Sequence, residues 1–313
     1  MNQNWKNFLL SEHATFLTES CIVFPPSDNQ QHLYPVTELA VLTVSGNDAA
    51  KFLQGQITCN VHDITATQSY LGAMCNPKGR TISTFLLVKS ADDLLLILPN
   101  ELLTTVKERL QKYIMRSDVT LIDSSDNLCL LGLDFIDTSH RFLATDVQDS
   151  AVWIDFGNRY LLIADVNNAI NLWQKYSAQG FQASNSAQWR YLDIVSGIPW
   201  LNLETSEQFI PQMLNIDKLG GISLTKGCYT GQEIVARTHY LGKAKRAIFV
   251  AECVTTPEAN ASIIDADGQV VGTVLQAELG KMLIVLQLDS DTAQLRLQDY
   301  HQAPVTLSTI ESL

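Results

Sequence analysis

The residues of this chain that are best suited to do chemistry lie in one short stretch, residues 226–233, with the sequence Lys-Gly-Cys-Tyr-Thr-Gly-Gln-Glu. The residues that follow, 234–237, have the sequence Ile-Val-Ala-Arg and predict the body of a helix, so Cys228 is expected at or just before the N-terminus of that helix. Backbone N–H groups and the helix dipole favour an anion at such a position, and Lys226 adds a positive charge. These neighbours favour the thiolate form, and we predict that Cys228 is a reactive thiol.

The other residues of the stretch are assigned to positions around this thiol. The candidate partners of Cys228 in chemistry are Lys226, Gln232 and Glu233, and the support positions are Gly227, Tyr229, Gly231 and Arg237. Glycine permits tight turns and close approach of another molecule to the backbone. Two plainer interpretations stay open: a buried structural thiol, which is the usual role of a free cysteine, and a helix-capping loop with a solvated charged face. The Lys, Gly, Tyr and Thr neighbours favour the functional interpretation.

Charge sets this part of the chain apart from the rest. Residues 226–246, the basic segment, carry a net charge of +4, whereas the whole chain carries −12. The charged residues of the segment are Lys226, Arg237, Lys243, Lys245 and Arg246, against Glu233. The acidic remainder excludes broad electrostatic coating of nucleic acid or of an anionic membrane. Any contact with nucleic acid therefore has to be local, through the basic segment.

The composition is that of a globular protein, with 46% hydrophobic and 17% charged residues, and 313 residues predict about two domains, or three. The six cysteines, at 21, 59, 75, 129, 228 and 253, include no Cys-x-x-Cys pair, which excludes a zinc knuckle and a dense disulfide framework. No metal site is predicted, and His62, Asp63 and His239 are interpreted as structural. The polar N-terminus is a poor signal peptide and no segment is apolar enough to span a bilayer. We therefore expect a cytoplasmic protein with reduced thiols and no membrane contact.

Hydrophobic spacing predicts the elements that must position these residues. A first set contains strands over 38–45, 69–74, 81–88 and 94–98, and helices over 4–19, 49–53 and 101–115. A second set contains strands over 118–122, 128–135, 151–156 and 159–165, and helices over 168–178 and 187–195. Short strands between 247 and 297 predict a small β-barrel. The expected class is α+β, with domains over 1–117, 118–244 and 245–313.

The eight-residue stretch resembles the signature of the YgfZ family of folate-binding, tRNA-modifying proteins, which is related to the T-protein (aminomethyltransferase) of the glycine cleavage system. Four further pieces of sequence agree with that family in order and spacing, at 54–58, 77–80, 196–199 and 209–212. The resemblance covers about residues 38 to 246, and the later strands match the family's terminal barrel in position. It implies the T-protein-like folate-binding fold, with two α/β (ferredoxin-like) subdomains around a central cavity and a C-terminal β-barrel.

The resemblance also implies a ligand, tetrahydrofolate or a one-carbon derivative of it. Of the two tryptophans with which the family binds folate, one matches Trp189. The other falls on Leu39, which can pack on a pterin ring but offers no aromatic face. Lys78 and Arg80 are candidate contacts for the acidic tail of folate, although a solvated hairpin accounts for them equally well.

The family supports iron–sulfur enzymes, especially those that thiolate tRNA, and the cysteine matching Cys228 is the residue most associated with that role. The resemblance therefore implies a folate-binding accessory protein whose partners are iron–sulfur proteins, such as tRNA-thiolating enzymes; direct contact with tRNA stays open, and we expect a monomer. Aminomethyltransferases carry an aspartate after the glycine turn, whereas residues 81–84 are Thr-Ile-Ser-Thr, so glycine cleavage activity is not expected. The alternative is a folate-dependent one-carbon transferase that acts on a protein or RNA acceptor.

Overall fold

The N-terminal part of the chain contains little regular secondary structure. The computed structural model describes residues 1–26, 31–134, 141–242 and 244–310, so Lys243 and the end of the strand predicted over 128–135 lie outside the described residues. The chain begins with helix α1 (Gln3–Ser11) and three short strands, β1 (Thr15–Phe16), β2 (Ile22–Val23) and β3 (His32–Pro35). Helix α1 ends well before residue 19, because His13 takes a left-handed conformation (φ +70) that the helix cannot continue through.

Five antiparallel strands form the first sheet: β4 (Leu39–Ser45), β5 (Tyr70–Cys75), β6 (Thr81–Ser90), β7 (Asp93–Pro99) and β8 (Thr120–Asp123), in the spatial order β5-β6-β7-β4-β8. Helices α2 (Ala49–Gln54) and α3 (Leu103–Gln111) cover one face, with 3-10 turns at Val61–Asp63 and Asn100–Leu102. Side chains alternate along β4 as the strand repeat requires. Leu42 and Val44 pack under the helices, whereas Leu39 and Val41 face the other way.

The second sheet combines β3 with five later strands: β9 (Leu128–Asp134), β10 (Thr145–Gln148), β11 (Ala151–Asp155), β12 (Arg159–Asp165) and β13 (Gln182–Ala183). Their order is β10-β11-β12-β9-β3-β13, with β13 parallel to β3 and the other pairs antiparallel. Helices α1 and α4 (Val166–Ala178) cover the outer face, where the ring centres of Trp5 and Trp173 lie 5.8 Å apart. Helix α5 (Ser186–Val195) follows β13 and carries Trp189.

The two sheets pack face to face and form a four-layer α/β/β/α arrangement. Leu86 and Ile97 of the first sheet share one buried cluster with Ile154 and Ile163 of the second. Strands are exchanged across residue 117: β3 lies in the second sheet, and β8 lies in the first. The division into domains 1–117 and 118–244 stays a prediction, and the sheets themselves are built from both regions.

The third sheet is a curled, antiparallel half-barrel near the C-terminus. It follows the 3-10 helix Pro211–Leu214 and helix α6 (Gln232–Leu241), and contains β14 (Arg246–Glu252), β15 (Ser262–Ile264), β16 (Val270–Glu278), β17 (Lys281–Gln287), β18 (Arg296–Leu297) and β19 (Thr306–Ser308). The order is β18-β15-β16-β17-β14-β19. Within the ranges given above, no helix has the length and apolar content needed to cross a bilayer.

Candidate functional site

Cys228 lies in an exposed loop rather than at the end of a helix. Helix α6 begins at Gln232, four positions after the thiol, and Gly231 precedes it in a left-handed conformation (φ +85). This turn separates the loop from the first helical turn, which is where the helix dipole acts. Of the predicted positions at or just before the helix N-terminus, the structure shows the second, beyond the turn on which the dipole acts, and what distinguishes Cys228 is its exposure.

The ammonium group of Lys226 points toward the protein rather than toward solvent. Its Nζ donates hydrogen bonds to the backbone carbonyls of Ile57 (2.8 Å) and Cys59 (2.7 Å) and lies 5.1 Å from the centre of the Tyr229 ring. Burial lowers the pKa of this amine to about 8. Lys226 thus ties residues 226–231, the signature loop, to the chain that follows α2.

The signature loop packs against the segment of chain that directly follows α2. Thr58 Oγ1 donates to the carbonyl of Gly221 (2.7 Å), across 163 positions of sequence. The backbone N–H of Thr230 donates to the carbonyl of Gly55 (3.2 Å). Two of the sequence pieces that resemble the family, at 54–58 and 226–233, are therefore in direct contact.

The tight turn at residues 76–79 packs against the start of α6. Gly79 has φ +70, and a Cβ there would lie 2.7 Å from the Cβ of Ile234. A Cβ on Gly231 would lie 2.6 Å from the carbonyl oxygen of Asn76. Both positions require glycine, because the backbone is left-handed and the neighbouring atoms are too close for a side chain. Gly227 differs: a Cβ built there would meet no atom of the described chain within 4 Å.

The connection between α5 and α6 closes the site from a second side. Gln212 Nε2 donates to the carbonyl of Val235 (2.7 Å), which fixes the 3-10 helix against α6. Arg80 Nη1 donates to the carbonyl of Gln208 (2.6 Å). Lys78, on the same turn as Arg80, is exposed. Lys78 and Arg80 therefore belong to the surroundings of the signature loop.

Tyr229 points inward, next to the outward-pointing thiol. Its side chain is 7% exposed, and its hydroxyl has no hydrogen-bond partner in the part of the chain that the structure describes. Burial raises the pKa of the Tyr229 phenol, and it raises the pKa of the nearby Cys59 and Cys75 thiols to about 12. A reagent in solution therefore reaches Cys228 far more easily than these two buried thiols.

The remaining predicted partners of the thiol lie at the start of α6, where Glu233 is engaged by its side chain and Gln232 by its backbone N–H. Glu233 accepts a hydrogen bond from Arg237 (2.7 Å) in an exposed ion pair one turn apart. The backbone N–H of Gln232 donates to the carbonyl of Tyr229 (3.1 Å) and so closes the signature loop.

Trp189 is enclosed in the core between the two sheets. It is 0% exposed, and its ring centre lies 5.7 Å from that of Tyr34 and 6.0 Å from that of Phe156. The guanidinium carbon of Arg159 lies 4.9 Å from the indole centre, and Gly132 lets the indole approach β9 because any Cβ there would overlap it. The ring is covered by the protein's own groups, and the role of Trp189 in binding folate stays a prediction.

A buried chain of polar groups leads from Trp189 toward the surface. Arg159 Nη2 donates to one carboxylate oxygen of Asp193 (2.7 Å), and Trp200 Nε1 donates to the other (2.8 Å). Arg159 Nη1 also donates to Ser196 Oγ (3.2 Å). Burial raises the pKa of Asp193, and the charge of Arg159 opposes that effect. Such pairing lets two charges remain buried and fixes the orientation of the Trp200 ring.

Trp200 lines a cleft of about 690 Å³ where the first sheet, α5 and the half-barrel meet. The walls of this cleft, the Trp200 cleft, also include Glu38, Leu39 and Gln276. Burial raises the pKa of Glu38 to about 7, and Arg190 lowers it in part. Within the described ranges, Glu38 Oε1 has no hydrogen-bond partner. Apolar walls with a few convergent polar groups are the usual lining of a small-molecule site.

Sequence reasoning missed three residues of this cleft, although each adjoins a predicted one. Glu38 precedes Leu39, Arg190 follows Trp189, and Trp200 follows the 196–199 piece directly. This adjacency is the signal that was available in the sequence.

Comparisons with known proteins show the family to which this chain belongs. The model of the GCVT N-terminal domain family matches residues 28–134. A tRNA-modifying protein YgfZ from Enterobacter sp. (strain 638) is 33% identical over 280 residues, which cover 83% of this chain and 86% of that protein. The tRNA-modifying protein YgfZ of Colwellia psychrerythraea is 31% identical over 305 residues, covering 90% of this chain and 93% of that protein. This chain belongs to the YgfZ family.

Membership of the YgfZ family confirms the resemblance, and a solved structure confirms the fold. Glycine cleavage system aminomethyltransferase T from Bartonella henselae superposes with a TM-score of 0.68 over 89% of this chain and 85% of that one, at 12% sequence identity. The predicted T-protein-like α+β fold is therefore correct, and the predicted C-terminal barrel is present as the curled half-barrel.

In this YgfZ chain, residues 81–84 lie in β6 and are buried. Thr84 Oγ1 donates to the carbonyl of Pro199 (2.6 Å). Thr81 lies at the Cys75 thiol, and its side-chain hydrogen bond partly offsets the effect of burial on the pKa of that thiol. A neutral hydroxyl cannot serve as a base comparable to a carboxylate at this position.

Proposed function

We propose that this protein is a folate-binding accessory protein that acts in tRNA modification by supporting iron–sulfur enzymes, with Cys228 as its functional thiol. The observation that carries the proposal is the exposed thiol of Cys228, on a loop that is supported by the other pieces of sequence shared with the family. The curated relatives are named tRNA-modifying proteins, which gives the context of the activity. The iron–sulfur partner and cytoplasmic location belong to the proposal.

The geometry of the signature loop suits a thiol that acts on another molecule. Lys226 fastens the loop from below through two carbonyls, and Gly231 fixes its end against the 76–79 turn. The sulfur of Cys228 is thus presented to solvent on a rigid support. Nucleophilic attack, thiol redox chemistry and transient cluster ligation all need a sulfur that a partner can reach.

The Trp200 cleft is the site that we assign to the pterin end of a reduced folate. Its volume of about 690 Å³ lies in the range of small-molecule sites. Leu39 and Trp200 supply apolar walls, and the unpaired Glu38 Oε1 can accept a hydrogen bond from the N–H groups of a pterin. Trp189 lies beneath the cleft and acts indirectly: it packs on Arg159, which is bonded to Asp193, and Asp193 in turn orients the Trp200 ring. Tetrahydrofolate supplies one-carbon chemistry when it is bound.

The acidic rim of the cleft determines which end of the ligand is assigned to it. The carboxylates at the rim are Glu101, Glu204 and Glu258, whereas Arg190 is already paired with Glu278 at 2.7 Å. The negative charge of these three carboxylates repels the acidic glutamate tail of folate, whereas the pterin ring carries no negative charge for them to repel. A one-carbon transferase is not our choice, because residues 81–84 bring buried hydroxyls and no carboxylate to the stretch where aminomethyltransferases carry one.

The decisive experiment replaces Cys228 by serine. We expect Cys228→Ser to fold, to bind tetrahydrofolate like the wild type in calorimetry, and to fail to restore iron–sulfur-dependent tRNA thiolation in cells that lack the wild-type protein. Cys21→Ser is the matched control, because Cys21 is a half-buried thiol outside the signature loop, and it should restore thiolation fully. Full restoration by Cys228→Ser would reject the role of the thiol. A wild-type protein that gives no heat with millimolar tetrahydrofolate would reject the folate part.

A further inference from the structure

We propose that the exposed surface around Cys228 binds an RNA strand directly, through phosphate contacts and base stacking on tyrosine. This inference rests on the proposed function in tRNA modification and adds the contact surface. Three segments form the surface: the turn at 76–80, the end of α3, and the exposed face of α6. The RNA surface, as we call it, surrounds the signature loop.

Contacts in the structure bring the three segments together. Gly79 packs against Ile234, which joins the turn to the first turn of α6. Pro77, Lys112 and Thr230 line one small cavity of about 90 Å³, which joins the turn, the end of α3 and the signature loop. The cationic groups on these segments are therefore neighbours of one another and of the thiol.

The RNA surface is positive in a protein that is negative overall. Lys78 and Lys112 are exposed, and Arg80 is held at the surface by the carbonyl of Gln208. Of the carboxylates on or beside these segments, Glu233 is paired with Arg237 and Glu207 with Arg109, whereas Glu108 lines a cleft together with Lys112. The net charge of −12 repels a polyanion from the rest of the chain, so RNA is directed to this surface.

Two exposed aromatic rings favour RNA over a protein partner. Tyr240 is 66% exposed and Tyr113 is 47% exposed. Tyr240 follows Glu233 and Arg237 on the same face of α6, at the spacing of one turn, and His239 meets its ring edge-on at 5.0 Å. Separate aromatic rings among cations suit a single strand, whose bases stack on the rings while the cations contact phosphates.

The experiment measures binding of a fluorescent, unmodified tRNA transcript by anisotropy at several salt concentrations. Lys78→Ala/Lys112→Ala should weaken binding at least about 5-fold and lower the slope of log affinity against log salt by roughly 1.4 to 1.8, because each lost phosphate contact removes about 0.7–0.9. Tyr240→Ala should weaken binding by about 5-fold or more at every salt concentration, because stacking is worth about 1–3 kcal/mol per base. The matched control is Lys89→Ala/Lys175→Ala, which removes two exposed lysines elsewhere and should change affinity less than about 2-fold.

Three results would overturn the inference. The first is a wild-type protein that does not bind the transcript, and the second is a Lys78→Ala/Lys112→Ala variant that binds as the wild type does. The third is a variant of the RNA surface, such as Tyr240→Ala, that binds RNA normally but fails to support tRNA thiolation in cells, since the surface would then serve a protein partner. The proposed function is tested separately: if Cys228→Ser abolishes thiolation while the wild type binds no RNA, the function stands and this inference falls.

Discussion

At the scale of single residues, the carboxyl group of Glu38 lies in a buried environment that destabilises its charged form. Burial raises its pKa to about 7, and Arg190, which would compensate the charge, is itself held by Glu278. The backbone N–H of Thr37 donates to Oε2 (3.1 Å). Oε1 is left without a hydrogen bond from any described residue, which is the state of a group that a ligand can complete. Near neutral pH the two protonation states of Glu38 are therefore close in free energy.

Replacing Glu38 by glutamine should change how stability depends on pH. The pKa of Glu38 is higher in the folded protein (about 7) than in the unfolded chain (near 4.5), so the folded state binds more protons between these values. The stabilising contribution is complete below pH 4.5 and is lost as the pH rises through 7. We expect the free energy of unfolding of Glu38→Gln, relative to the wild type, to increase between pH 5 and pH 8. Urea unfolding at both pH values measures it, with Glu258→Gln, an exposed carboxylate of the same cleft, as control.

A wild type that gained stability relative to Glu38→Gln over the same interval would show that the carboxylate is better stabilised when charged. In that case Glu38 would already have a partner in solution, and the assignment of its Oε1 to a ligand would be withdrawn.

At the scale of elements, the contact between the 76–79 turn and α6 sets the shape of the signature loop. Gly79 and Gly231 face each other, with the Cα of Gly79 only 3.1 Å from a Cβ built on Gly231. Two left-handed glycines allow the turn and the helix start to approach at backbone distance. The loop is thus held at one end by this contact and near the other by Lys226.

An alanine at Gly231 should break this contact, whereas one at Gly227 should not. Gly231→Ala combines φ +85 with a clash against the carbonyl of Asn76, and we expect a loss of about 1–3 kcal/mol in the free energy of unfolding. Gly227→Ala adds its Cβ to open space and should cost less than about 0.5 kcal/mol. Urea unfolding measures both, and faster alkylation of Cys59 should accompany the loss in Gly231→Ala. Equal stability of the two variants would contradict the described packing.

The predictability of these elements follows from their length and burial. β6 and β7 are long and almost entirely buried, with apolar runs over 85–88 and 94–98, and the sequence predicts both nearly to their ends. β10 (Thr145–Gln148) is mostly exposed and β13 has two residues, so neither carries enough hydrophobic pattern to be recognised. The signature loop was recognised from its residue types. The hydrogen bonds that support the loop cannot be predicted from residue types, because they end on backbone carbonyls, such as those of Ile57 and Gly55. The fold alone brings these carbonyls to the loop.

At the scale of the whole molecule, the half-barrel packs tightly against the rest of the chain. One buried cluster joins Ile248 and Leu283 of the half-barrel to Ile194, Phe209 and other residues before α6. Asn215 Nδ2 also donates to the carbonyl of Ile248 (3.2 Å). The predicted domain at 245–313 therefore covers apolar surface that the remaining chain would otherwise expose to water.

Removal of the predicted C-terminal domain should destabilise the rest of the protein. A chain of residues 1–244 would expose Ile194, Phe209 and Leu214, each of which is buried in the full chain. We expect it to bind a hydrophobic dye and to lose the cooperative thermal transition of the full-length protein, because each such side chain contributes about 1.5–3 kcal/mol on burial. Calorimetry of the two proteins side by side measures this. A cooperative transition at an unchanged temperature in residues 1–244 would instead establish the half-barrel as an independent addition.

The membership of β3 in the second sheet has a consequence for synthesis on the ribosome. β3 pairs with β9, from Leu33 opposite Leu133 to Pro35 opposite Leu131, and with β13 at Gln182 and Ala183. Translation proceeds at about 5–20 residues per second, so β3 emerges roughly 5–20 seconds before its first partner and longer before its second. Throughout that interval it is a short strand, with Leu33 and Tyr34 at its centre, whose two edges are unpaired and open to pairing with other segments. Nascent chains of this protein are therefore most prone to wrong pairing before residue 134 has left the exit tunnel.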